Sequence, residues 1–291
     1  MDTAGTALRS LVDSRDTSRV GRQARLELVF ARHGGRTVLA HAYAEPPLRV
    51  GRGFQEGDGV HMILTSSAPG IFGGDCFEQQ IRVEAGARVR LTSQSALQVH
   101  PSSDQEAAHL LASYQIGEDA ELVCEWDPMI PFAKARFDQR VSVKMANGAR
   151  LFWSDAFMAG RAAARLPSGN GEGERWAFSE LTHELSVRRA DSLEYLERYR
   201  LVPSERSIES GWIGDSATYF GTILASGWPA DSPAIISLHE ALAECASVRA
   251  AADRLGEKLA IVRVMSASGA RFRDARHRVA AKLGCSGETR M

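Results

Sequence analysis

A chain of 291 residues that is 44% hydrophobic carries enough apolar material for one large core or two small ones. Its 35 Lys and Arg are balanced by 36 Asp and Glu, a formal charge of −1, which excludes the clustered basic excess of a nucleic-acid surface. No run approaches the roughly 18–20 apolar residues that span a bilayer. Cys76, Cys124, Cys245 and Cys285 stand far apart with no C-x-x-C pair, so neither a disulfide framework nor a zinc ribbon is indicated, and a reducing cytoplasm fits.

Residues 1–23 are polar and contain no apolar stretch of a secretory signal; they read as a disordered N-terminus. Alternation then dominates from Ala24 to Arg200. In "ARLELVFA", Leu26, Leu28 and Phe30 share one face, and "RTVLAHAY" follows after His33-Gly34-Gly35, a hairpin connection. Further strand-like runs are "GVHMILTS", "CFEQQIRV", "ARVRLTSQ", "HLLASYQI", "AELVCEW", "FDQRVSVKM", "ARLFWSDAF", "LTHELSVRR" and "LEYLERYRL". The last third changes period. "SPAIISLHEALAECASVRAAADRLG" reads as a helix running from Ser-Pro to Gly256, "KLAIVRVM" as a strand, and "GARFRDARHRVAAKLG" as a second helix closed by Gly284. The expected organisation is one domain over residues 24–291, a β body over 24–230 and a helical layer over 231–291.

Gly86, Gly117 and Gly148 are thirty-one residues apart, each between two strand-like runs. A fixed period argues for stacked strand-turn-strand units, each covering its neighbour's apolar edge. Stacking would align the polar strand ends Thr92-Ser93-Gln94, Glu125 with Asp127, and Ser154-Asp155. The fold class expected is therefore mainly β, a β-helix-like or sandwich-like stacked body with two C-terminal α-helices.

Chemical motifs are sparse. "PGIFGGD" lacks the GK[ST] and following helix of a phosphate-binding loop, so Gly73 and Gly74 read as a tight turn delivering Asp75 to a strand. No H-E-x-x-H or G-x-S-x-G is present, and no permanent metal cage is visible; "HEALAEC" reads as a solvated helix face. Asp75, Asp127, Asp155 and Glu174 fall at strand ends beside Gly or Pro and could work as paired acid and base. Each also has a structural reading, Asp75 and Asp127 as turn caps and Asp155 as a buried partner of Arg161. In "CEWDPMIPFAKARFDQ", Pro128 and Pro131 impose an extended connection too apolar for a free loop.

These stretches together resemble the urease accessory protein UreD family, called UreH in some bacteria. "GIFGGD" is similar to its Gly-rich turn before a strand, "GARVRLTSQSALQV" to its strand ending in Thr-x-Gln-(Ala/Ser)-Ala, and "EWDPMIPFAKARFDQ" to its Pro-containing segment. "GARLFWSDAFMAGR" followed by "GERWAF" is similar to its Gly-Ala…Asp…Gly-Arg and Gly-Glu-Arg. The resemblance runs from about Leu26 to Val202. It departs where Gln98-Val99-His100 stand in place of a Lys and an aromatic, and where "AAARLPSGNGEG" is long.

The resemblance implies a non-catalytic cytoplasmic maturation factor. Its partners would be a UreF-type helical accessory protein, a UreG-type nickel-carrying GTPase and the urease apoprotein, with neither nucleic acid nor membrane involved. It implies no tightly bound cofactor and a transient Ni²⁺ cargo moving through an internal polar passage. By motif, that passage is carried onto Asp75, Gln94, Asp127, Asp155 and Glu174, with Gly73, Gly74, Pro128 and Arg161 in structural turns or an ion pair. The competing expectation, from the residues alone, is a β-solenoid-like hydrolase using Asp75 and Asp127.

Overall fold

The computed structural model describes residues 22–101, 104–162, 173–208, 216–228, 230–256 and 258–285. The N-terminus expected to be disordered lies outside them except for its last two residues, as does most of "AAARLPSGNGEG". Among the described residues no helix is long and apolar enough to cross a membrane.

In chain order, β1 (Gln23–His33) and β2 (Arg36–Ala44) form a hairpin, as do β3 (Leu48–Glu56) and β4 (Gly59–Ser66). Then come β5 (Ile71–Phe72), β6 (Cys76–Val83), β7 (Arg88–Ser93), β8 (Gln98–His100), β9 (Ala108–Ile116), β10 (Glu121–Glu125) and β11 (Ile130–Pro131). β12 (Arg136–Met145) and β13 (Arg150–Met158) precede the hairpin of β14 (Glu180–Arg189) and β15 (Ser192–Leu201). The chain closes with β16 (Tyr219–Ser226), α1 (Ser232–Ala243), β17 (Val248–Arg254), β18 (Leu259–Ser266) and α2 (Gly269–Lys282).

These strands build three sheets. The first has the order β15-β14-β12-β9-β6-β1-β2, the second β17-β18-β16-β13-β10-β7-β4-β3, and the third β11-β8-β5. Successive strands from β4 to β13 visit the second, third and first sheets in turn, and equivalent strands pair in parallel. That path is a parallel β-helix, with antiparallel hairpins at both ends. Side chains at every second position turn inward and fill one core, including Leu26, Phe77, Leu91, Leu122, Trp153 and Leu185. The alternation read from the sequence is the alternation of this wall.

The stacking expected from the glycine spacing is present, with a different register. Arg88 pairs with Glu121 and Glu121 with Arg150, so one step is thirty-three residues and the next twenty-nine. The left-handed turn positions are Gly86 (φ 67), Asp119 (φ 53) and Gly148 (φ 70). Gly117 lies two residues earlier in its turn, where a Cβ would stand 2.7 Å from the Ala85 backbone nitrogen. Asp is among the few residues that accept a left-handed backbone, and that hid the true repeat.

The C-terminal region departs further from expectation. α1 is capped by Asp231, whose side chain accepts the Ala234 N–H at 2.9 Å, but it stops at Ala243. Ser247 turns the chain with φ 61, and "VRAAADR" becomes a strand paired along β18. Alanine-rich sequence favours helix; here an open sheet edge and its backbone partners override that preference. The two helices cover the outer face of the second sheet, where Phe272 of α2 packs with Val123, Phe152, Ile223 and Val264. Gly221 leaves the room for this: a Cβ there would sit 2.4 Å from the Phe272 ring.

Candidate functional site

Between the inner faces of the first and second sheets lies a cavity of about 180 Å³. Its lining includes Gln94 and Asp127 from connections that leave β7 and β10, Asp155 from β13, and the inward glutamines Gln79 and Gln139. Gln94 is exposed, Asp127 half-buried, and the Asp155 side chain only 15% exposed, so these oxygen donors lead from solvent inward. The connection bearing Asp127 is held by its backbone N–H, which donates to Ser93 Oγ at 2.9 Å. The Pro128 ring that follows is buried.

A second cavity, about 300 Å³, continues from the first, and the two share Met129, Gln139, Asp155 and Ala156. Register explains which side chains meet there. In the first sheet Gln139, His183 and Tyr199 are aligned across β12, β14 and β15. In the second sheet Asp155, Thr222 and Arg263 are aligned across β13, β16 and β18. The two rows face each other. His183 Nδ1 lies 3.2 Å from Gln139 Oε1, its ring stacks on Tyr199 at 4.9 Å, and its Nε2 is 4.0 Å from Asp155 Oδ2. Glu197 is ion-paired with Arg263 and accepts hydrogen bonds from Thr222 and Tyr195.

Burial dominates the electrostatics. It raises the Asp155 carboxyl above the usual range, with the neighbouring His183 opposing the shift. It also raises Tyr199 well above an ordinary phenol. A carboxylate in such surroundings gains from any cation that reaches it.

Of the residues expected to act together, Gln94, Asp127 and Asp155 line one cavity. Asp75 does not join them. Its Oδ1 accepts the Arg22 N–H at 2.7 Å and its Oδ2 the Phe72 N–H at 3.0 Å, and Asp75 N–H donates to Phe72 O at 2.9 Å. It fastens the Gly73-Gly74 turn to the start of β1. Glu174 is also elsewhere. Arg161 donates from Nε to its Oε2 at 2.8 Å, Ala133 N–H donates at 3.1 Å, and the Arg161 guanidinium lies 4.1 Å over the Phe132 ring. Arg161 thus pairs with Glu174, not with Asp155. This bonding holds the Glu174 carboxyl below its usual range.

His183, Gln139, Glu197 and Arg263 escaped the sequence reading. A signal existed for His183, which takes the apolar phase of Leu181, Leu185 and Val187 in β14. Glu197 likewise shares the inward phase of Tyr195 in β15. A charged or polar residue at an inward position marks either a satisfied core group or a site.

The fold is a stacked β body with a helical cover and a cavity between its two large sheets, and the chain's relatives are named as accessory proteins. The chain belongs to the UreD urease accessory protein family, whose sequence model matches residues 22–287. It is similar to the urease accessory protein UreD of Sorangium cellulosum (strain So ce56), 33% identical over 65% of this chain and 58% of that one. UreD of Deinococcus radiodurans is 30% identical over 71% and 72% of the two chains. The Streptomyces griseus protein called UreD 2 is 31% identical over 75% and 74%.

Proposed function

We propose that the protein is a non-catalytic scaffold in urease maturation, which docks a UreF-type helical accessory protein and a UreG-type GTPase onto apo-urease in the cytoplasm and passes Ni²⁺ inward. The observation that carries this reading is that exposed Gln94, half-buried Asp127 and buried Asp155 line one cavity whose walls are otherwise largely apolar. Its donors are oxygens of amides and carboxylates, which suit a mobile hydrated cation, whereas a set of thiolates would trap it. Among the described residues no group of three or more His, Cys, Asp and Glu is placed to hold a metal, so an ion there meets few protein ligands at a time. Ni²⁺ is cargo here, and no tightly bound cofactor is assigned.

The roles of Asp75 and Glu174 within this reading are architectural: each carboxylate is engaged by backbone N–H groups or Arg161. The hydrolase alternative gains nothing from the geometry, since Asp75 and Asp127 do not share a cavity.

The test is urease maturation in cells carrying the other accessory genes. Asp127→Ala with Asp155→Asn is expected to lower urease nickel content at least tenfold while the complex with the helical partner is still recovered. Normal nickel content with that pair of substitutions would overturn the passage. Failure to recover any complex with the partner and GTPase would overturn the scaffold.

A further inference from the structure

The helical layer over the second sheet stops short of its far edge. α1 lies along β17, and α2 reaches β10, where Arg276 Nη1 donates to the Trp126 carbonyl at 3.0 Å. The apolar cluster under the helices draws on β10, β13, β16, β17 and β18; among the described residues it draws on none from β7, β4 or β3. Those three strands lie side by side at the end of the sheet, a strip about 14 Å wide at roughly 4.8 Å per strand. An α-helix with its side chains is about 10–12 Å across. The strip is one helix wide.

Its outer face has its polar groups paired and its apolar groups bare. His61 Nε2 lies 2.9 Å from Thr92 Oγ1, Arg90 is held by Glu125, and Glu56 is shared by His61 and Arg90 at 3.5 and 3.7 Å. Groups already satisfied by one another lose little when water leaves. Beside them Phe54 is 51% exposed, its ring centre 6.2 Å from that of His61. Ile63 alternates with inward Met62, stands opposite Thr92 and belongs to neither core cluster.

Both margins of the strip are cationic. Helical spacing puts Arg273 and His277 on the flank of α2 next to Arg276, and Arg49 is exposed on β3 at the other side. Neither Arg49 nor Arg273 has a carboxylate partner among the described residues. Arg273 also stands in the first half of α2, where the helix dipole favours acids, so its charge does not serve the helix that carries it.

We infer that this strip is the docking site for one amphipathic α-helix of a protein partner, which lies beside α2 as a third member of the layer. Its apolar side chains cover Phe54 and Ile63, and its carboxylates face Arg273 and Arg49. Helices packed side by side sit about 8–10 Å apart, which seats the incoming axis over β7 and β4. The identity of the partner rests on the scaffold reading, which supplies a helical accessory protein; the width and charge of the strip do not.

The test uses the full chain co-purified with the UreF-type helical protein. Phe54→Glu with Ile63→Glu is expected to weaken that complex at least tenfold, with the melting temperature of the free chain little changed because both side chains lie outside the cores. Arg49→Glu with Arg273→Glu, both at exposed positions, is expected to slow association at least tenfold at low salt, by a factor that shrinks as salt is raised; this pair decides the matter if the first fails to fold. A benzophenone cross-linker placed at residue 54 is expected to mark partner residues three or four apart, as on one face of a helix. Unchanged affinity and rate in folded variants, with the wild-type complex intact, overturn the strip and leave the scaffold standing. No complex in the wild type overturns the scaffold and the helix as occupant together. Cross-links at alternate partner residues, to a second copy of this chain or to its own residues 1–21 overturn the partner helix and name what lies there instead.

Discussion

Glu125 ends β10, and Asp155 lies midway along the neighbouring parallel strand β13, Glu125 opposite Ser154 and Asp155 one residue further on. That single step of alternation puts them on opposite faces. On the outer face, Thr92, Glu125 and Ser154 stack in register. Arg90 donates to Glu125 Oε2 from Nε at 2.8 Å and Nη2 at 2.6 Å, and Arg276 of α2 lies 3.9 Å from Oε1. On the inner face, Asp155 has a cavity and the His183 ring before it. One of these carboxylates is neutralised by arginines under the helices, and the other faces a cavity.

If that contrast is right, the outer face is where substitution costs most stability. Glu125→Ala removes the nearer carboxylate from Arg276, a buried arginine whose pKa burial already lowers, and leaves it the Trp126 carbonyl at 3.0 Å and the charge of Asp127. Stranding a buried charge costs about 3 kcal/mol or more, to be read as a lower urea midpoint at unchanged slope. An unaltered midpoint would break the comparison. Gly221→Ala strikes the same face by packing alone. Its methyl would meet the Phe272 ring, and overfilling a tight core costs about 1–3 kcal/mol; loss of protease resistance confined to the C-terminal helices would locate the damage.

A smaller effect is expected at the Arg161–Glu174 pair, because Arg161 is 43% exposed and water screens the attraction. Arg161→Ala should cost about 1 kcal/mol at neutral pH. Glu174 has a depressed folded pKa, so its contribution is complete above its ordinary value of 4.5 and is lost as the pH falls through the folded value. Melting curves of wild type and variant should converge in that acid range; a constant offset down to the lowest pH would sink the assignment.

Asp155→Asn should move stability least and in the opposite direction. A carboxyl with a raised folded pKa resists ionisation in the fold, so the wild type is penalised above the ordinary value of 3.8 and not below it. The variant should therefore melt slightly higher at neutral pH and equally in acid. A marked loss of stability would mean that Asp155 holds the fold together as Glu125 does.

The long strands were legible because each buries one face, so Leu26, Leu28 and Phe30 announce themselves by period. The third sheet was not, because Ile71–Phe72, Gln98–His100 and Ile130–Pro131 are too short to display any period. Only the proline-bounded, apolar segment around Met129 hinted that something packed there. At the site, acidic residues beside turns drew attention whether or not they faced inward, and Asp75 proved to be a turn fastener. His183 and Glu197 belong to strands whose contacts are set by register with distant segments, information that no local pattern contains.

The parallel coils carry one last consequence. Adjacent strands of a sheet stand about 4.7–4.9 Å apart, so side chains in register, such as Gln139, His183 and Tyr199, sit on a ruler with that graduation. Insertion or loss of a whole coil would lengthen or shorten the interior by one graduation and leave its cross-section intact. In such an architecture the length of the interior changes in whole steps, independently of its width.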